Sequence, residues 1–148
     1  MYDIRRTALA AIFTALLMPA LPGAAQDKPY REGTVWSVSF IKVKPGMFDQ
    51  YLRELGPVRK KLMEEAQKQG LVLSYKVFSG VSANRDDWDV MFMEEYKNWA
   101  AFDGLNEKFE ALEAKLIGNE EKRTQVMVKR TEVREIVGEK VLQELILK

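Results

Sequence analysis

The feature of this sequence that most constrains its fold is a change of hydrophobic period between residues 86 and 116. Residues 88–96 alternate large apolar or aromatic side chains with others at a period of two, which is typical of a β-strand. After them, large apolar residues recur three or four positions apart and share one stripe of a helix: Trp99, Phe102, Leu105, Phe109, Leu112 and Leu116. Asn98 stands at the expected N-cap, because its side chain can accept from an amide of the first turn. A strand leading into an amphipathic helix is half of a split β-α-β unit.

The sequence before this stretch supplies the other half of the unit. Residues 34–44 predict a strand whose two faces both carry large apolar side chains, which indicates a strand covered on both sides. Residues 47–69 predict a helix, and Pro57 lies in its interior. Because proline has no amide to donate, we expect a kink there or two helices nearly in line.

Two further strands and a short helix complete the pattern. Residues 71–78 alternate as a second strand, and residues 131–147 form an extended C-terminal segment with a bend or bulge at Gly138. Between the last long helix and this segment, Asn119 is followed by acids, which predicts a poorly defined helix over residues 119–129.

The predicted order is β-α-β-β-α, a further helix and β, which indicates the α+β class. It is the order of the ferredoxin-like fold, a split β-α-β antiparallel sheet with its helices on one face. Since large apolar residues occupy both faces of the first three strands, the helices leave one apolar face uncovered. The simplest way to bury this face is to pack it against the same sheet of a second copy of the chain. We therefore expect a homodimer whose two sheets form a dimeric α-β barrel.

The first 25 residues have the pattern of a secretory signal peptide. Arg5 and Arg6 give a positive start, an apolar run covers residues 7–21, and small residues precede Gln26. The alternative is an uncleaved membrane anchor, but the run is shorter than the roughly 20 apolar residues of a span. We expect cleavage near Gln26, export to the periplasm or the extracellular medium, and no stable membrane insertion after cleavage.

The remainder divides into a polar leader over residues 26–33 and one domain over residues 34–148. The leader contains Pro29 and Gly33 and has no periodicity, so it is expected to be flexible. A chain of 148 residues is long enough for one domain with a substantial core and too short for two.

Charge and cysteine content exclude several classes of protein. Loss of the signal peptide removes two of the 23 basic and one of the 22 acidic residues, which leaves 21 of each. A chain with no formal net charge has no overall basic field to attract nucleic acid, so no nucleic-acid partner is expected. Without cysteine no disulfide forms, and the domain depends on its core or on a partner subunit.

Three stretches carry a resemblance to a known family: KVKPG at the end of the first strand, LSYKVFSG, and MEEYKNWAAFDGL. Over residues 34–147 the chain resembles the dimeric α-β barrel superfamily and, within it, the proteins related to antibiotic-biosynthesis monooxygenases. Family members often have a glutamate two residues before a tyrosine at the end of the third strand, and an alanine pair that opens the helix. Glu94, Tyr96, Ala100 and Ala101 match this pattern.

Many members of that family carry a histidine where this sequence has Leu105, and this chain has no histidine or cysteine at all. Their absence excludes serine–histidine–aspartate and cysteine–histidine catalysis and an ordinary zinc site. The histidine-ligated haem of several relatives is excluded too, unless Tyr75 or Tyr96 serves as an unusual ligand. We expect no cofactor and assign no catalytic residue.

Acidic residues cluster at Asp86, Asp87 and Asp89, where carboxylate oxygens could bind calcium. Their spacing matches no calcium-binding loop, so a solvated turn is the simpler interpretation and no metal site is predicted. Glu94 and Glu95 are adjacent in a strand and face opposite sides of the sheet, which rules out a paired-carboxylate site.

Four aromatic residues and one acid form the candidate ligand-binding site: Trp36, Tyr75, Trp88, Tyr96 and Glu94. Aromatic walls with a few polar groups are typical of small-molecule sites, and we expect this pocket between the two sheets of the dimer. The same aromatic residues would equally serve as core packing without a ligand. Whichever of Glu94 and Glu95 is buried needs a partner such as Lys76 or Arg134, and the simpler interpretation is a solvated or salt-bridged glutamate.

Two functional hypotheses remain. The first is an exported, non-catalytic dimeric barrel that binds a small apolar or aromatic molecule, or that serves only through its dimer. The alternative is a cofactor-independent, monooxygenase-like enzyme that acts on a phenolic or quinone substrate with oxygen. Glu94 is the only evident general base for such a reaction, so we prefer the non-catalytic hypothesis.

Overall fold

A four-stranded sheet organises residues 27–148, which are the residues described by the computed structural model. The predicted signal peptide, residues 1–25, lies outside the described residues, as does Gln26. The elements follow in this order: β1 (Tyr30–Val43), α1 (Phe48–Lys68), β2 (Ser74–Ser79), β3 (Val90–Tyr96), a 3₁₀ helix (Trp99–Phe102), α2 (Leu105–Leu116), α3 (Glu120–Val133) and β4 (Arg134–Leu147).

The strands lie side by side in the order β2-β3-β1-β4, and each neighbouring pair is antiparallel. The first and third strands are therefore central, and the second and fourth form the two edges. This is the arrangement of a split β-α-β sheet. The predicted α+β class and ferredoxin-like fold are confirmed.

One face of the sheet, which we call the helix face, packs against the helices. Alternate residues of β1 and β3 point to it, and seven of them are buried: Val35, Ile41, Val43, Val90, Phe92, Glu94 and Tyr96. Two hydrophobic clusters result from this packing. The first joins β1 and β3 to α1 and α2, and the second joins these strands to α1 and to the last residue of α3.

The opposite face, which we call the open face, carries a second set of large side chains: Trp36, Val38, Phe40, Phe78, Met91, Met93 and Leu142. Within residues 27–148, none of them belongs to either helix-packed cluster. Val38 is buried, whereas Phe78 is 41% and Leu142 is 45% exposed. The prediction that the sheet is apolar on both faces is thus confirmed.

The sheet begins earlier in the chain than the sequence predicted. Strand β1 starts at Tyr30, which pairs with Leu147 of β4. Residues 30–33 were expected in the flexible leader, but they extend the ladder between these two strands. The register shifts between Glu32 and Val35, where one strand accommodates an extra residue.

The helix predicted from Asn98 is divided in two. Residues Trp99–Phe102 form a 3₁₀ helix, and α2 begins only at Leu105. Between them Gly104 has φ of +62°, a left-handed conformation that glycine adopts without steric cost. Asn98 precedes the 3₁₀ helix but makes no capping hydrogen bond with its side chain, so its predicted role is wrong.

Three other local predictions are confirmed. Pro57 lies inside α1, which continues through it. Asn119 caps α3, because its side-chain oxygen accepts a hydrogen bond of 3.2 Å from the amide of Lys122. The ladder between β1 and β4 shifts register at Gly138. Helix α3 continues to Val133, however, beyond the predicted end near residue 129.

Among residues 27–148, no helix has both the length and the apolar composition of a membrane span.

Candidate functional site

The sheet separates the five residues predicted to bind a ligand. Trp36 lies on the open face, and the ring of Trp88 packs against Phe40 of that face at 5.8 Å between centroids. Tyr75 and Glu94 are cross-strand partners on the helix face, and Tyr96 lies on the same face. The structure therefore does not bring the five residues into one pocket.

Glu94 forms an ion pair with Arg59, which projects from α1 toward the sheet. The Nη2 atom of Arg59 donates a hydrogen bond to Oε1 of Glu94. Glu94 is only 8% exposed, and it is the one charged residue counted among the buried side chains of residues 27–148. The guanidinium of Arg59 also lies over the ring of Phe92, 4.1 Å from its centroid. Lys76 and Arg134, the partners expected from the sequence, do not pair with Glu94.

Burial shifts the acidity of two neighbouring groups. The loss of solvation raises the pKa of Glu94, although the charge and hydrogen bond of Arg59 act in the opposite direction. Burial, together with the negative charge of Glu94, raises the pKa of Tyr96 to about 12. The phenol of Tyr96 therefore remains protonated at neutral pH, and Glu94 keeps its negative charge less easily than an exposed glutamate.

A cleft of about 330 Å³, which we call the Glu94 cleft, opens between the sheet, α1, the 3₁₀ helix and α2. Its lining includes aromatic, aliphatic and polar side chains: Ser37, Arg59, Leu62, Met63, Glu94, Tyr96, Phe102, Leu105, Asn106, Phe109 and Glu113. The rings of Tyr96 and Phe102 are tilted against each other with centroids 4.6 Å apart. The volume is near the lower end of the range for small-molecule pockets, about 300–1,000 Å³.

Arg59 also borders a second cavity, of about 200 Å³, on the β2 side of the sheet. Tyr75 lines this cavity together with Phe92, and Gly56 of α1 forms part of its wall. Tyr75 therefore lies near the ion pair but not in the Glu94 cleft. Of the predicted site residues, the cleft contains only Glu94 and Tyr96.

The acidic loop before β3 is held by hydrogen bonds within the loop and to the end of β1. The carboxylate of Asp87 accepts from the amide of Ala83, at 2.8 Å. Asp89 accepts from the amide of Val43 at 2.8 Å and pairs with Lys42 at 3.4 Å. Among residues 27–148, no three acidic side chains are grouped closely enough to hold a metal ion.

The sequence did not identify Arg59 as a site residue, nor the side of the Glu94 cleft formed by Phe102, Asn106 and Phe109. A signal for Arg59 was present in the sequence, because it lies one helical turn from both Leu55 and Met63. These two neighbours are buried, so Arg59 is a charge placed on the apolar stripe of α1. A charged residue at such a position indicates a buried partner.

No known family model matches the chain, and no curated protein has a matching sequence. The resemblance to antibiotic-biosynthesis monooxygenases therefore stays a prediction.

Solved structures do match. A dimeric ferredoxin-like protein from an uncultured marine organism has a TM-score of 0.50 and 10% identity, over 79% of this chain and 90% of that one. A protein from Shewanella oneidensis has a TM-score of 0.49 and 15% identity, over 79% and 96%. A dimeric protein of unknown function and ferredoxin-like fold from Bacteroides fragilis has a TM-score of 0.42 and 10% identity, over 78% and 97%. At such low identity, the match to the marine protein shows a common fold and nothing more: this chain has the ferredoxin-like fold.

Proposed function

We propose that this protein is an exported, non-catalytic homodimer that binds a small aromatic molecule in the Glu94 cleft. The observation that carries the proposal is the buried carboxylate of Glu94 at the edge of an aromatic cleft. Burying a charged pair is costly, so a site that keeps one beside an open cavity is a candidate for ligand binding. Position on the helix face distinguishes this site from the inter-sheet pocket expected from the sequence.

The lining of the cleft favours a neutral ligand with one hydrogen-bonding group. Arg59 balances the charge of Glu94, and Glu113 adds a further negative charge to the wall. An anionic ligand would therefore be repelled. Phe102 and Phe109 offer ring faces for an aromatic body. Ser37 and Asn106 offer hydrogen-bonding side chains to a polar substituent such as a phenolic hydroxyl.

Two observations support a homodimer. The open face exposes large apolar side chains that no described helix cluster includes. The marine protein with the same fold is described as dimeric. A second copy of the sheet would cover the open face and close a dimeric α-β barrel.

Export is supported by the N-terminal sequence pattern alone, with its arginine pair, apolar run and small residues before Gln26. Mass spectrometry of the protein made in its native cells should find a chain that starts at or near Gln26. A native chain that retains Met1 or Tyr2 would exclude this part of the proposal.

The binding proposal is tested with 1-naphthol, a neutral aromatic probe with one hydroxyl group. Titration of ¹⁵N-labelled protein should move the amide signals of the 3₁₀ helix and α2. Phe109→Ala should weaken binding by about tenfold, because it removes an aromatic contact of about 1.4 kcal/mol. Phe78→Ala is the matched control, because it removes a ring from the open face instead.

Signals that move on the open face, with weakening in Phe78→Ala rather than Phe109→Ala, would move the site to the inter-sheet pocket and refute the Glu94 cleft. The naphthol recovered after incubation in air separates binding from catalysis. Recovery of unchanged naphthol supports a binding protein. A protein-dependent conversion of naphthol to naphthoquinone, lost in Glu94→Gln, would instead establish the monooxygenase-like alternative. In that reaction one atom of O₂ enters the ring, and the other leaves as water with the two hydrogens that the naphthol loses.

A further inference from the structure

A further cavity, away from both the Glu94 cleft and the cavity beside Tyr75, lies between α1 and α3. This cavity, which we call the α1–α3 cavity, measures about 310 Å³. Its lining combines an apolar floor with several polar groups: Tyr51, Glu54, Leu55, Val58, Val126, Lys129, Arg130 and Val133. It shares no lining residue with the Glu94 cleft. The function proposed for that cleft therefore gives this cavity no role.

Tyr51 is the unusual residue of the cavity. Its side chain is 1% exposed, and its hydroxyl is buried without a hydrogen-bond partner among the described residues. Buried hydroxyl groups in folded proteins are nearly always hydrogen-bonded, so an unpartnered one at a cavity wall indicates a group that pairs with something else. Tyr51 packs in the core through its ring, which explains its burial but not its hydroxyl.

Two arginines stand close to this tyrosine, and neither has an acidic partner among residues 27–148. Arg130 lines the cavity, and the guanidinium of Arg134 lies 6.0 Å from the centroid of the Tyr51 ring. Neither arginine forms an ion pair with a carboxylate of residues 27–148. The Nε atom of Arg134 is also buried without a hydrogen-bond partner in that range.

The balance of charge around the cavity is positive. Among residues 27–148, Lys129 and Arg130 line it with Glu54 as the one acid. Glu113, outside the lining, also attracts Arg130. Glu54 is exposed and accepts a hydrogen bond of 2.9 Å from Gln50 on the outside of α1. Burial lowers the pKa of Arg130, and the nearby charge of Arg134 acts in the same direction. A negative charge placed between these arginines would relieve their mutual repulsion.

We propose that the α1–α3 cavity binds a small organic acid through its carboxylate. Arg130 holds the carboxylate, because a guanidinium offers paired donors that match its two oxygens. The hydroxyl of Tyr51 is a further donor, and the field of Arg134 adds attraction. The aliphatic body of the acid packs on Leu55, Val58, Val126 and Val133, which form the apolar part of the lining. An inorganic anion would use only the charged half of this site.

Hexanoate is the test probe, with hexanamide as its uncharged analogue. Hexanoate, added to ¹⁵N-labelled protein with residues 27–148 intact, should move the signals of Tyr51, Arg130 and their neighbours on α1 and α3. Hexanamide should bind at least about tenfold more weakly, since it lacks the charge-assisted hydrogen bonds. Arg130→Gln should weaken hexanoate binding by a similar factor. Arg123→Gln on the same helix is the matched control, and it should leave the affinity unchanged, because Arg123 lines a different surface of α3.

The same spectra report whether each variant folds. Tyr51→Phe keeps the ring in the core and removes only the hydroxyl, so it should weaken hexanoate binding in a folded protein. Equal affinity for hexanoate and hexanamide would refute recognition of the carboxylate. The proposal is also overturned if hexanoate moves no signals near Tyr51, or if Arg123→Gln weakens binding as much as Arg130→Gln. None of these results depends on the Glu94 cleft.

Discussion

Burial and ion pairing act in opposite directions on the carboxylate of Glu94. The loss of water around it favours the neutral acid, while the positive charge of Arg59 favours the carboxylate. Burial is the larger of the two effects, and the pKa of Glu94 is raised. A buried ion pair of this kind contributes little net stability, because the cost of desolvation offsets the attraction. The ion pair of Arg59 and Glu94 is therefore better explained by ligand binding in the Glu94 cleft than by a contribution to the stability of the fold.

The raised pKa predicts how Glu94→Gln changes stability with pH. The unfolded chain releases the Glu94 proton near pH 4.5, the ordinary value, while the folded protein holds it to higher pH. As pH rises from 4.5 through the higher pKa of the folded protein, the free energy of unfolding of the wild type falls relative to that of a variant that cannot ionise. We expect the free energy of unfolding of wild type minus that of Glu94→Gln to fall by up to about 1.4 kcal/mol per pH unit.

Urea unfolding of both proteins from pH 4 to pH 8 measures this difference. Loss of the partner of Arg59 shifts the Glu94→Gln curve by an amount that does not depend on pH, because arginine stays charged throughout. Glu64→Gln, which removes an exposed carboxylate from α1, controls for the change in net charge. A difference that stays flat, or that rises with pH, would show that Arg59 outweighs burial.

At the Glu94 cleft, the sequence was sufficient to identify Glu94 and Tyr96 but not Arg59, the ion-pair partner of Glu94. Alternation along β3 was sufficient to place Glu94 and Tyr96 on one face, since the side-chain period of a strand is fixed. It did not say which face the helices cover, and so Trp36 was grouped with residues from the other side. Arg59 contacts Glu94 from 35 residues away, a pairing set by the packing of α1 on the sheet.

An asparagine before a predicted helix was interpreted as an N-cap at two positions, and the interpretation is correct at Asn119 and wrong at Asn98. Asn119 precedes α3 and caps it, and the acids of the first turn, Glu120 and Glu121, add a favourable interaction with the helix dipole. Asn98 also stands before a predicted helix, but aromatic and small residues follow it instead of acids. It precedes a 3₁₀ helix, and its side chain makes no cap. The left-handed Gly104 sets the true start of α2. That glycine was visible in the sequence, within the predicted helix.

Alanine substitution at the two asparagines should separate these roles. Asn119→Ala removes the hydrogen bond to the amide of Lys122 and should lower the free energy of unfolding by about 0.5–2 kcal/mol. Asn98→Ala is the matched control, and its effect should stay within about 0.5 kcal/mol. Thermal and urea unfolding measure both. Equal destabilisation by the two substitutions would mean that the cap of α3 contributes nothing specific.

For the whole molecule, hydrophobic periodicity was enough to predict the fold. The four strands and the first two α-helices were recognised by their periods, and α3 only by Asn119 and the acids after it. The β-α-β-β-α-β order allows few sheets that bury the apolar stripes of the helices. The early start of β1 was not predictable, because residues 30–33 are polar and become a strand only by pairing with the C-terminal residues of β4. Local pattern carries no information about such distant pairing.

In a single chain, the large apolar side chains of the open face remain partly exposed to solvent. Phe78 and Leu142 are more than two-fifths exposed there, and Trp36, Phe40 and the two methionines of β3 are only partly buried. Fully burying a large apolar side chain stabilises by about 1.5–3 kcal/mol. Several such side chains on one face amount to a substantial fraction of the stability of a domain, about 5–15 kcal/mol. The sheet of a second copy of the chain would bury these side chains without any change in the fold of either chain.

Two neighbours on β4 distinguish face-to-face pairing from other modes of association. Leu142 lies on the open face and Val141 on the helix face, and both are 45% exposed. Because they are equally accessible in one chain, lysine at either position should be tolerated by the monomer fold. Sedimentation equilibrium at low micromolar concentration should find the wild type and Val141→Lys as dimers. Leu142→Lys should dissociate at least about tenfold more readily, since it places a charge in a dry interface. Dissociation of both variants alike would indicate pairing through the β4 edge, and a monomeric wild type would exclude the barrel.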